Sequence, residues 1–240
     1  MVDAYTIKLH KRVTKRLNDW HLAYTPHTDY LKCAIDWCLL PKKYDVDIEL
    51  LSNEINKILE KVPMKQYTLP NNTLLPGYYG LCFKSRKGST DTLYEGLNSN
   101  SLQRLGQEET TIDPDFTEKN AIWFTYLDEI ENKFQGQVTQ VRLIKLEAGQ
   151  NLGEIPHTDY PWYNGIRMHI PLTPDLKYQW NVMDKNYFAK RGPSMVFLDT
   201  GKPHTAINES NPIDRYVLNI NMIPWTTNIP LHSQILSSNL

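Results

Sequence analysis

The sequence predicts a mainly β protein with flanking helices, folded as a jelly-roll barrel (a double-stranded β-helix). Helical patterns occupy the first half of the chain and short β-rich runs the second half, so the βαβ alternation of a parallel sheet is absent. The β-rich runs are 138–146, 166–172, 178–183, 194–199 and 215–223. Turn residues separate these runs, as is typical of an all-β sandwich or barrel.

The N-terminal region carries a helical pattern that ends at Pro41. Apolar residues recur there at three- and four-residue spacing, and Thr28 suits the N-cap. They are Leu31, Ala34, Ile35, Cys38 and Leu39. We therefore expect residues 1–43 to form a helical extension and residues 44–240 to form the barrel domain.

Two further helices are expected before the β-rich half. Residues 44–61 should begin extended and continue as a helix, with Ser52 as a cap and an apolar stripe. The stripe consists of Ile55, Ile58 and Leu59. A second helix is expected at 121–134, and its inward face consists of Ile122, Leu127, Ile130 and Phe134.

Loops are expected on both sides of a strand from Tyr78 to Lys84. Residues 63–77 contain three prolines and should form an irregular connection. Residues 85–120 are long and polar, which is typical of a functional lid or a disordered segment. Arg86 and Tyr94 are candidate substrate contacts within that stretch.

The composition gives no reason to expect a nucleic-acid or membrane partner. The net charge is −1 and the sequence pI is about 6.7, so no strong field attracts polyanions. We expect no secretory leader, because the first residues are charged, and no membrane span, because there is no apolar run of the required length. Three cysteines give no disulfide framework. We therefore expect a soluble, cytoplasmic protein.

The pentapeptide Pro-His-Thr-Asp-Tyr occurs twice, at 26–30 and 156–160. The first copy is explained by the start of a helix, whereas the second lies among the β-rich runs. In extended backbone, residues two apart point the same way, so His157 and Asp159 can aim at one point. Two imidazoles and one carboxylate on one face of an octahedron suit non-haem Fe(II), and the other face stays open for O2 and a co-substrate.

The third metal ligand must come from a distant strand. The downstream histidines of the β-rich half are His169 and His204, and His232 lies close to the C-terminus. His204 follows a turn and stands 47 residues after His157, a separation that can return a later strand of a jelly roll to an earlier one. His204 is therefore the predicted third ligand.

Arg215 lies eleven residues after His204, at the start of the last strand. A guanidinium can bind a carboxylate through two parallel hydrogen bonds, although a salt bridge with Asp214 or Glu209 is an alternative. Alternation predicts that the cavity face of this strand consists of Arg215, Val217, Asn219 and Asn221. The opposite face would consist of Tyr216, Leu218, Ile220 and Met222.

Arg167 and His169 point the same way from another strand, which suggests an anion site. Both could also be ordinary structural residues, Arg167 in an ion pair and His169 in the core. The opposite face of that strand consists of Ile166, Met168, Ile170 and Leu172.

These motifs together resemble the aspartyl/asparaginyl β-hydroxylase family, to which bacterial proline hydroxylases are related. The resemblance runs over about residues 44–225 and is strongest from 138 to 223. It is carried, in order, by Arg142-Leu143-Ile144, Ala148-Gly149, His157-Thr158-Asp159, Arg167-Met168-His169-Ile170-Pro171-Leu172, Phe197-Leu198-Asp199, His204, Asn208 and Arg215.

The resemblance implies an enzyme that uses Fe(II), 2-oxoglutarate and O2. It implies that His157 and His204 bind iron, and that Arg215 pairs with the far carboxylate of 2-oxoglutarate. It also implies that Arg167 and His169 assist at the co-substrate. One departure matters, because animal aspartyl β-hydroxylases lack the metal-binding carboxylate that Asp159 supplies here. The same carboxylate argues against a halogenase.

The expected reaction is hydroxylation of an unactivated C–H bond, with a free amino acid or related small molecule as the first choice of substrate. An Asp, Asn or Pro residue of a peptide or protein is the alternative. A cupin-like metal- or ligand-binding module without redox turnover and an inactive scaffold are the rivals from other classes. Further candidate substrate contacts are Tyr160, Trp162, Asn219 and Asn221, although the two aromatic residues could equally belong to the core.

Overall fold

The computed structural model describes residues 36–68, 74–86, 88–91, 117–134, 138–150, 166–200, 203–209 and 211–222. The first part contains β1 (Trp37–Leu39), a 3-10 turn (Lys42–Tyr44), α1 (Ile48–Leu59), β2 (Lys65–Thr68), β3 (Leu74–Arg86), β4 (Thr117–Lys119) and α2 (Thr125–Lys133). The second part contains β5 (Val138–Leu146), β6 (Ile166–Pro171), β7 (Tyr178–Val182), β8 (Lys185–Ala189), β9 (Val196–Leu198), β10 (His204–Ile207) and β11 (Arg215–Met222).

Within the described residues the strands form two antiparallel sheets. The main sheet has eight strands in the order β1-β9-β6-β11-β5-β3-β2, with β4 added beside β3. The small sheet has the order β10-β7-β8. The last strand, β11, lies between β5 and β6. After β6 the chain crosses to the small sheet for β7 and β8, returns for β9, crosses again for β10 and returns for β11, which is the winding of a jelly roll. The predicted fold class is therefore confirmed.

One face of the main sheet packs against the helices. Its core consists of Leu81, Phe83, Val141, Leu143, Met168, Ile170, Phe197, Leu218 and Ile220 from the strands, with Leu51, Ile55, Leu127, Ile130 and Phe134 from the helices and the turn that follows α2. We call this the outer face. Burying this much apolar area is the main favourable contribution to folding. The predicted inward residues of the second helix are confirmed, although the helix itself begins at Thr125.

The other face of the main sheet looks toward the small sheet, and we call it the inner face. A second apolar cluster fills part of the space between the sheets, and it consists of Leu176, Tyr178, Trp180, Val182, Val196, Leu198 and Val217. The Tyr178 hydroxyl accepts hydrogen bonds from the backbone N–H groups of Leu172 and Thr173, at 3.0 and 2.6 Å. It also donates to the carbonyl oxygen of Tyr216. This phenol therefore fixes the small sheet to the main sheet at one end.

The prediction of a helix that ends at Pro41 is wrong for residues 37–39. Trp37–Leu39 form an edge strand, with Trp37 opposite Leu198 and Leu39 opposite Val196 of β9. The helical spacing of two apolar residues cannot outweigh the backbone hydrogen bonds that β9 offers. Residues 1–35 lie outside the described part. This strand precedes residue 44, the domain boundary that the sequence suggested.

Several local predictions also need correction. The cap of α1 is Asp47, whose carboxylate accepts from the backbone N–H groups of Glu49 and Leu50, whereas Ser52 lies inside the helix and donates to the Ile48 carbonyl. The predicted loop at 63–77 contains β2 and the start of β3. Neither described helix has the length and apolar character that crossing a bilayer requires.

Candidate functional site

The inner face carries two rows of polar side chains across adjacent strands. In the first row, Asn219 of β11 stands between Arg142 of β5 and His169 of β6. In the second row, Asn221 stands between Gln140 and Arg167. All six residues are buried. The predicted orientation of the β6 and β11 residues follows the alternation, because their neighbours Met168, Ile170, Leu218 and Ile220 lie in the outer-face core.

Arg215 is a buried cation that has no acidic partner among the described residues. One of its terminal nitrogens, Nη1, donates to the carbonyl oxygens of Gln179 and Ile207, at 2.6 and 3.0 Å. Its guanidinium also lies 4.5 Å from the Trp180 ring centroid and 5.1 Å from that of Tyr178. Burial lowers the pKa of Arg215 to about 10. The group is therefore still charged at pH 7.

The alternative pairing of Arg215 with Asp214 is not observed. The Asp214 carboxylate accepts from the backbone N–H of Ala148, at 3.0 Å, and lies 3.3 Å from the Lys145 ammonium. Asp214 therefore pairs with residues at the end of β5, and the Arg215 guanidinium has no counter-ion in the described part of the chain.

His169 occupies the middle of the inner face in a positive environment. Its ring packs edge-on against Trp180, with centroids 5.5 Å apart. Its pKa is held well below the usual value, first by burial and then by the charges of Arg167, Arg215, His204 and Arg142. The imidazole is therefore neutral at pH 7. Its Nε2 atom is buried and has no hydrogen-bond partner among the described residues.

The second polar row is a chain of hydrogen bonds. Nε of Arg167 donates to Oδ1 of Asn221, at 2.9 Å, and Nδ2 of Asn221 donates to the side-chain oxygen of Gln140. Asn219 in the first row differs, because its Oδ1 is buried without a donor in the described part of the chain. A buried carbonyl oxygen without a donor is costly, so this atom points to a ligand or a water molecule.

Arg142 of β5 is held by a residue of β2, the edge strand that lies two places away in the main sheet. Its guanidinium donates to the hydroxyl of Tyr67 on β2. The Tyr67 ring in turn packs against Tyr78 of β3, with centroids 4.6 Å apart. Arg142 itself is only 6% exposed. Three guanidinium groups, those of Arg142, Arg167 and Arg215, therefore belong to the inner face.

His204 is the first residue of β10 and is buried opposite Val182. Val182 and Trp180 belong to the cluster between the sheets, so the same side of β10 directs His204 toward the inner face. His157 and Asp159 lie outside the described residues, and so do Tyr160, Trp162 and Tyr94. The described residues alone contain no group of three metal-binding side chains. The convergence of the three predicted ligands therefore stays a prediction.

The structure brings five of the predicted site residues onto one wall, namely Arg167, His169, Arg215, Asn219 and Asn221. Arg86 ends β3, where its backbone pairs with Thr117, and its side chain lies outside the described part. Sequence reasoning gave no role to Gln140, Arg142, Tyr67 or Trp180. Gln140 and Arg142 lie two positions apart in β5 and flank the apolar Val141, and this alternation was the signal that could have found them.

Among known proteins, only solved structures show a similarity to this chain. No family model matches the chain, and no curated protein matches it. A 2-oxoglutarate/Fe(II) oxygenase family oxidoreductase from Burkholderia pseudomallei is similar at TM-score 0.45 and 11% identity, over 86% of this chain and 89% of that one. A Trichoplax adhaerens prolyl hydroxylase, in complex with a hypoxia-inducible-factor peptide, is similar at TM-score 0.45 and 11% identity, over 88% and 92%.

Part of the barrel also resembles smaller proteins. A protein described as a predicted oxalate decarboxylase from Thermotoga maritima is similar at TM-score 0.29 and 18% identity, over 39% of this chain and 73% of that one. At these levels of similarity, the function has to be argued from the side chains of the inner face.

Proposed function

We propose that this protein is an Fe(II)- and 2-oxoglutarate-dependent dioxygenase that hydroxylates a C–H bond of a small molecule. The observation that carries the proposal is the buried, uncompensated guanidinium of Arg215 on the inner face of a jelly-roll barrel. A buried charge without a counter-ion is unfavourable. A ligand that brings a carboxylate to this place would remove the penalty, and a purely structural arginine would not need one.

The hydrogen bonds of Arg215 support a carboxylate ligand in particular. Nη1 is engaged by two backbone carbonyls, which leaves the edge formed by Nε and Nη2. That edge presents two parallel N–H donors, the arrangement that binds both oxygens of one carboxylate. Because Trp180 and Tyr178 flank the guanidinium, little conformational freedom remains to be lost on binding.

The metal assignment combines one described residue with two sequence predictions. His204 would hold Fe(II) together with His157 and Asp159, a donor set that suits this ion. When bound, the iron supplies the activation of O2 that a protein side chain cannot supply. The balanced reaction converts 2-oxoglutarate, O2 and a substrate C–H bond into succinate, CO2 and the hydroxylated substrate.

The remaining residues of the inner face would bind and orient the reactants. The neutral imidazole of His169 can donate or accept a hydrogen bond without adding a further charge. The apolar side chains of Tyr178, Trp180 and Val217 limit water around Arg215. Exclusion of water strengthens the electrostatic interactions of a bound anion.

Succinate formation tests this proposal directly. The full chain is reconstituted with Fe(II) under anaerobic conditions, and succinate is measured after addition of 2-oxoglutarate and air, with and without a panel of amino acids. We expect succinate from the wild-type protein and none above background from His204→Ala. Arg215→Met should raise the KM for 2-oxoglutarate about 100-fold, because a buried charge-assisted pair is lost.

Arg191→Met is the matched control, because Arg191 forms its ion pair with Glu49 of α1, one of the helices that cover the outer face. It should leave the KM within about twofold. Absence of succinate from the iron-loaded wild-type protein, with tight metal binding retained, would favour a binding module without turnover.

A further inference from the structure

We propose that Asn208 is a positioning residue for the co-substrate anchor, because it orients the peptide group that receives the Arg215 guanidinium. This inference rests on the proposed function, since it names a residue that sets the affinity for 2-oxoglutarate. Asn208 follows β10 directly and is completely buried. Neither the predicted metal site nor the wall of the inner face has given it a role.

The peptide group between Ile207 and Asn208 is held at both of its ends. Its carbonyl oxygen, on Ile207, accepts a hydrogen bond from Nη1 of Arg215 at 3.0 Å. Its N–H, on Asn208, donates to the carbonyl oxygen of Gln150 at 3.1 Å. A trans peptide group is planar and its C=O and N–H point in opposite directions, so neither can turn without the other. The direction of the guanidinium therefore depends on where Asn208 lies.

The side chain of Asn208 fixes this position through one amide nitrogen. Nδ2 donates to the carbonyl oxygens of Glu147 and Ile213, both at 3.0 Å, and to that of Leu146 at 3.3 Å. Leu146 is the cross-strand partner of Arg215 on β5, and Ile213 lies just before Arg215 in the chain. The amide therefore joins the backbone on both sides of Arg215 to the peptide group that receives its side chain.

The oxygen of the same amide indicates that the donors decide which residue is used here. Oδ1 of Asn208 is buried and accepts no hydrogen bond from the described residues. A buried carbonyl oxygen without a donor is unfavourable, so an amide would be a poor choice if only its volume mattered. Asparagine is the smallest side chain with two N–H donors on one nitrogen. A serine would offer one donor to the three carbonyls, and an apolar residue would offer none.

Loss of these donors should turn the Arg215 guanidinium away from its present direction. The Gln179 carbonyl would still accept from Nη1, at 2.6 Å, and the Trp180 ring would still pack against the guanidinium. With the Ile207 carbonyl displaced, rotation about the remaining hydrogen bond moves the edge that consists of Nε and Nη2. Binding of both carboxylate oxygens needs that edge in one direction, so the affinity for the co-substrate should fall.

The orientation of the guanidinium can be measured without ligand or metal, in a nitrogen–proton correlation spectrum of the full chain labelled at its arginine side chains. The Nε–H signal of Arg215 is identified by its loss in Arg215→Met. We expect Asn208→Leu to shift and broaden this signal. Asn120→Leu is the matched control, because it removes an amide that donates to the Cys82 carbonyl, at 2.6 Å, next to the end of β4. It should leave the signal of Arg215 unchanged.

Turnover distinguishes positioning from a general loss of stability. In succinate formation by the iron-loaded protein, Asn208→Leu should raise the KM for 2-oxoglutarate about tenfold, with a much smaller change in kcat, because binding of the co-substrate is what the guanidinium supplies. Asn120→Leu should keep the KM within about twofold. In the Arg215→Met background, Asn208→Leu should change the KM no further, since two residues that act through one contact are not additive.

A milder variant keeps the test decisive if Asn208→Leu does not fold. Asn208→Ser retains one O–H donor, which can bind one of the three carbonyls. It should shift the Arg215 signal in the same direction as the larger substitution does, and it should raise the KM for 2-oxoglutarate by a smaller factor.

The outcomes distinguish this inference from the proposed function. An unchanged signal of Arg215, an unchanged KM, or an equal effect of Asn208→Leu in the Arg215→Met background would overturn the positioning role while leaving the dioxygenase proposal intact. A shifted signal in the folded Asn208 variants, in a protein that never forms succinate, would support the positioning of Arg215 and reject the dioxygenase.

Discussion

The two faces of the main sheet are built from alternate residues of the same strands, yet they satisfy their charged groups differently. On the outer face, the buried Lys84 ammonium lies 2.6 Å from the Glu131 carboxylate of α2. Glu131 also binds Lys119, at 2.6 Å. On the inner face, the cation of Arg215 meets only backbone carbonyls and aromatic rings within the described residues.

This difference distinguishes buried charges that stabilise the fold from buried charges that are available to a ligand. Charges that are buried for stability bring their own partners, because an unpaired buried charge costs more than most single contacts can return. Among the described residues, the guanidinium of Arg215 has no counter-ion, and the Nε2 atom of His169 and the Oδ1 atom of Asn219 have no hydrogen-bond partner. We infer that this wall is completed by a ligand. Substitutions on each face of the sheet test this difference.

The largest effect is expected for Leu218→Ala on the outer face. Leu218 is fully buried in the helix-covered core, so its truncation should lower the free energy of unfolding by about 2–5 kcal/mol. Asn219→Leu, at the next position on the inner face, should change it by less than about 1 kcal/mol, because an unsatisfied oxygen is replaced by an apolar group. Urea denaturation without ligands measures both. Similar losses in the two variants would contradict the comparison.

An intermediate effect is expected for Glu131→Gln. The substitution leaves the buried ammonium of Lys84 without its counter-ion, so the free energy of unfolding should fall by about 2–3 kcal/mol. Asp128→Asn is the control, because its ion pair with Lys119 is exposed and should contribute less than about 1 kcal/mol. Thermal and urea denaturation at pH 7 compare the two. An equal effect would mean that burial does not distinguish them.

The smallest effect, and one of opposite sign, is expected for Arg215→Met. Removal of the uncompensated buried charge should outweigh the loss of the two carbonyl hydrogen bonds, so the free energy of unfolding of the ligand-free protein should rise by about 1 kcal/mol at pH 7. The folded-state pKa of Arg215, about 10, lies below the ordinary value of 12.5. The charge therefore penalises folding fully below pH 10, and the penalty shrinks between pH 10 and 12.5. The gain from Arg215→Met should shrink over the same interval, and a loss of stability at pH 7 would contradict it.

Much of this arrangement could be predicted from the sequence, because alternation in a strand reports which residues share a face. It predicted that Arg215, Asn219 and Asn221 lie together, and that Arg167 and His169 face the same way. It could not predict which strands are neighbours. For this reason the cross-strand meeting of Arg142 with Asn219 was missed.

Other features depend on partners that are distant in sequence. Trp37–Leu39 form a strand because β9 lies beside them, whereas their own pattern is equally compatible with a helix. The strands β8 and β10 are short and half polar, so no periodicity marked them. The role of Trp180 beside Arg215 and His169 depends on how the small sheet covers the main one. The pairing of His204 with His157 and Asp159 still rests on the sequence.

The two hydrogen bonds from Nη1 of Arg215 reach carbonyls on different strands, Gln179 on β7 and Ile207 on β10. One side chain of the main sheet thus acts as a clasp on the strand that begins at His204. A substitution of Arg215 would release the clasp as well as the charge, so its kinetic defect would have two origins. Restoring the charge with lysine recovers only one of them, and the residual defect measures the mechanical contribution of the guanidinium.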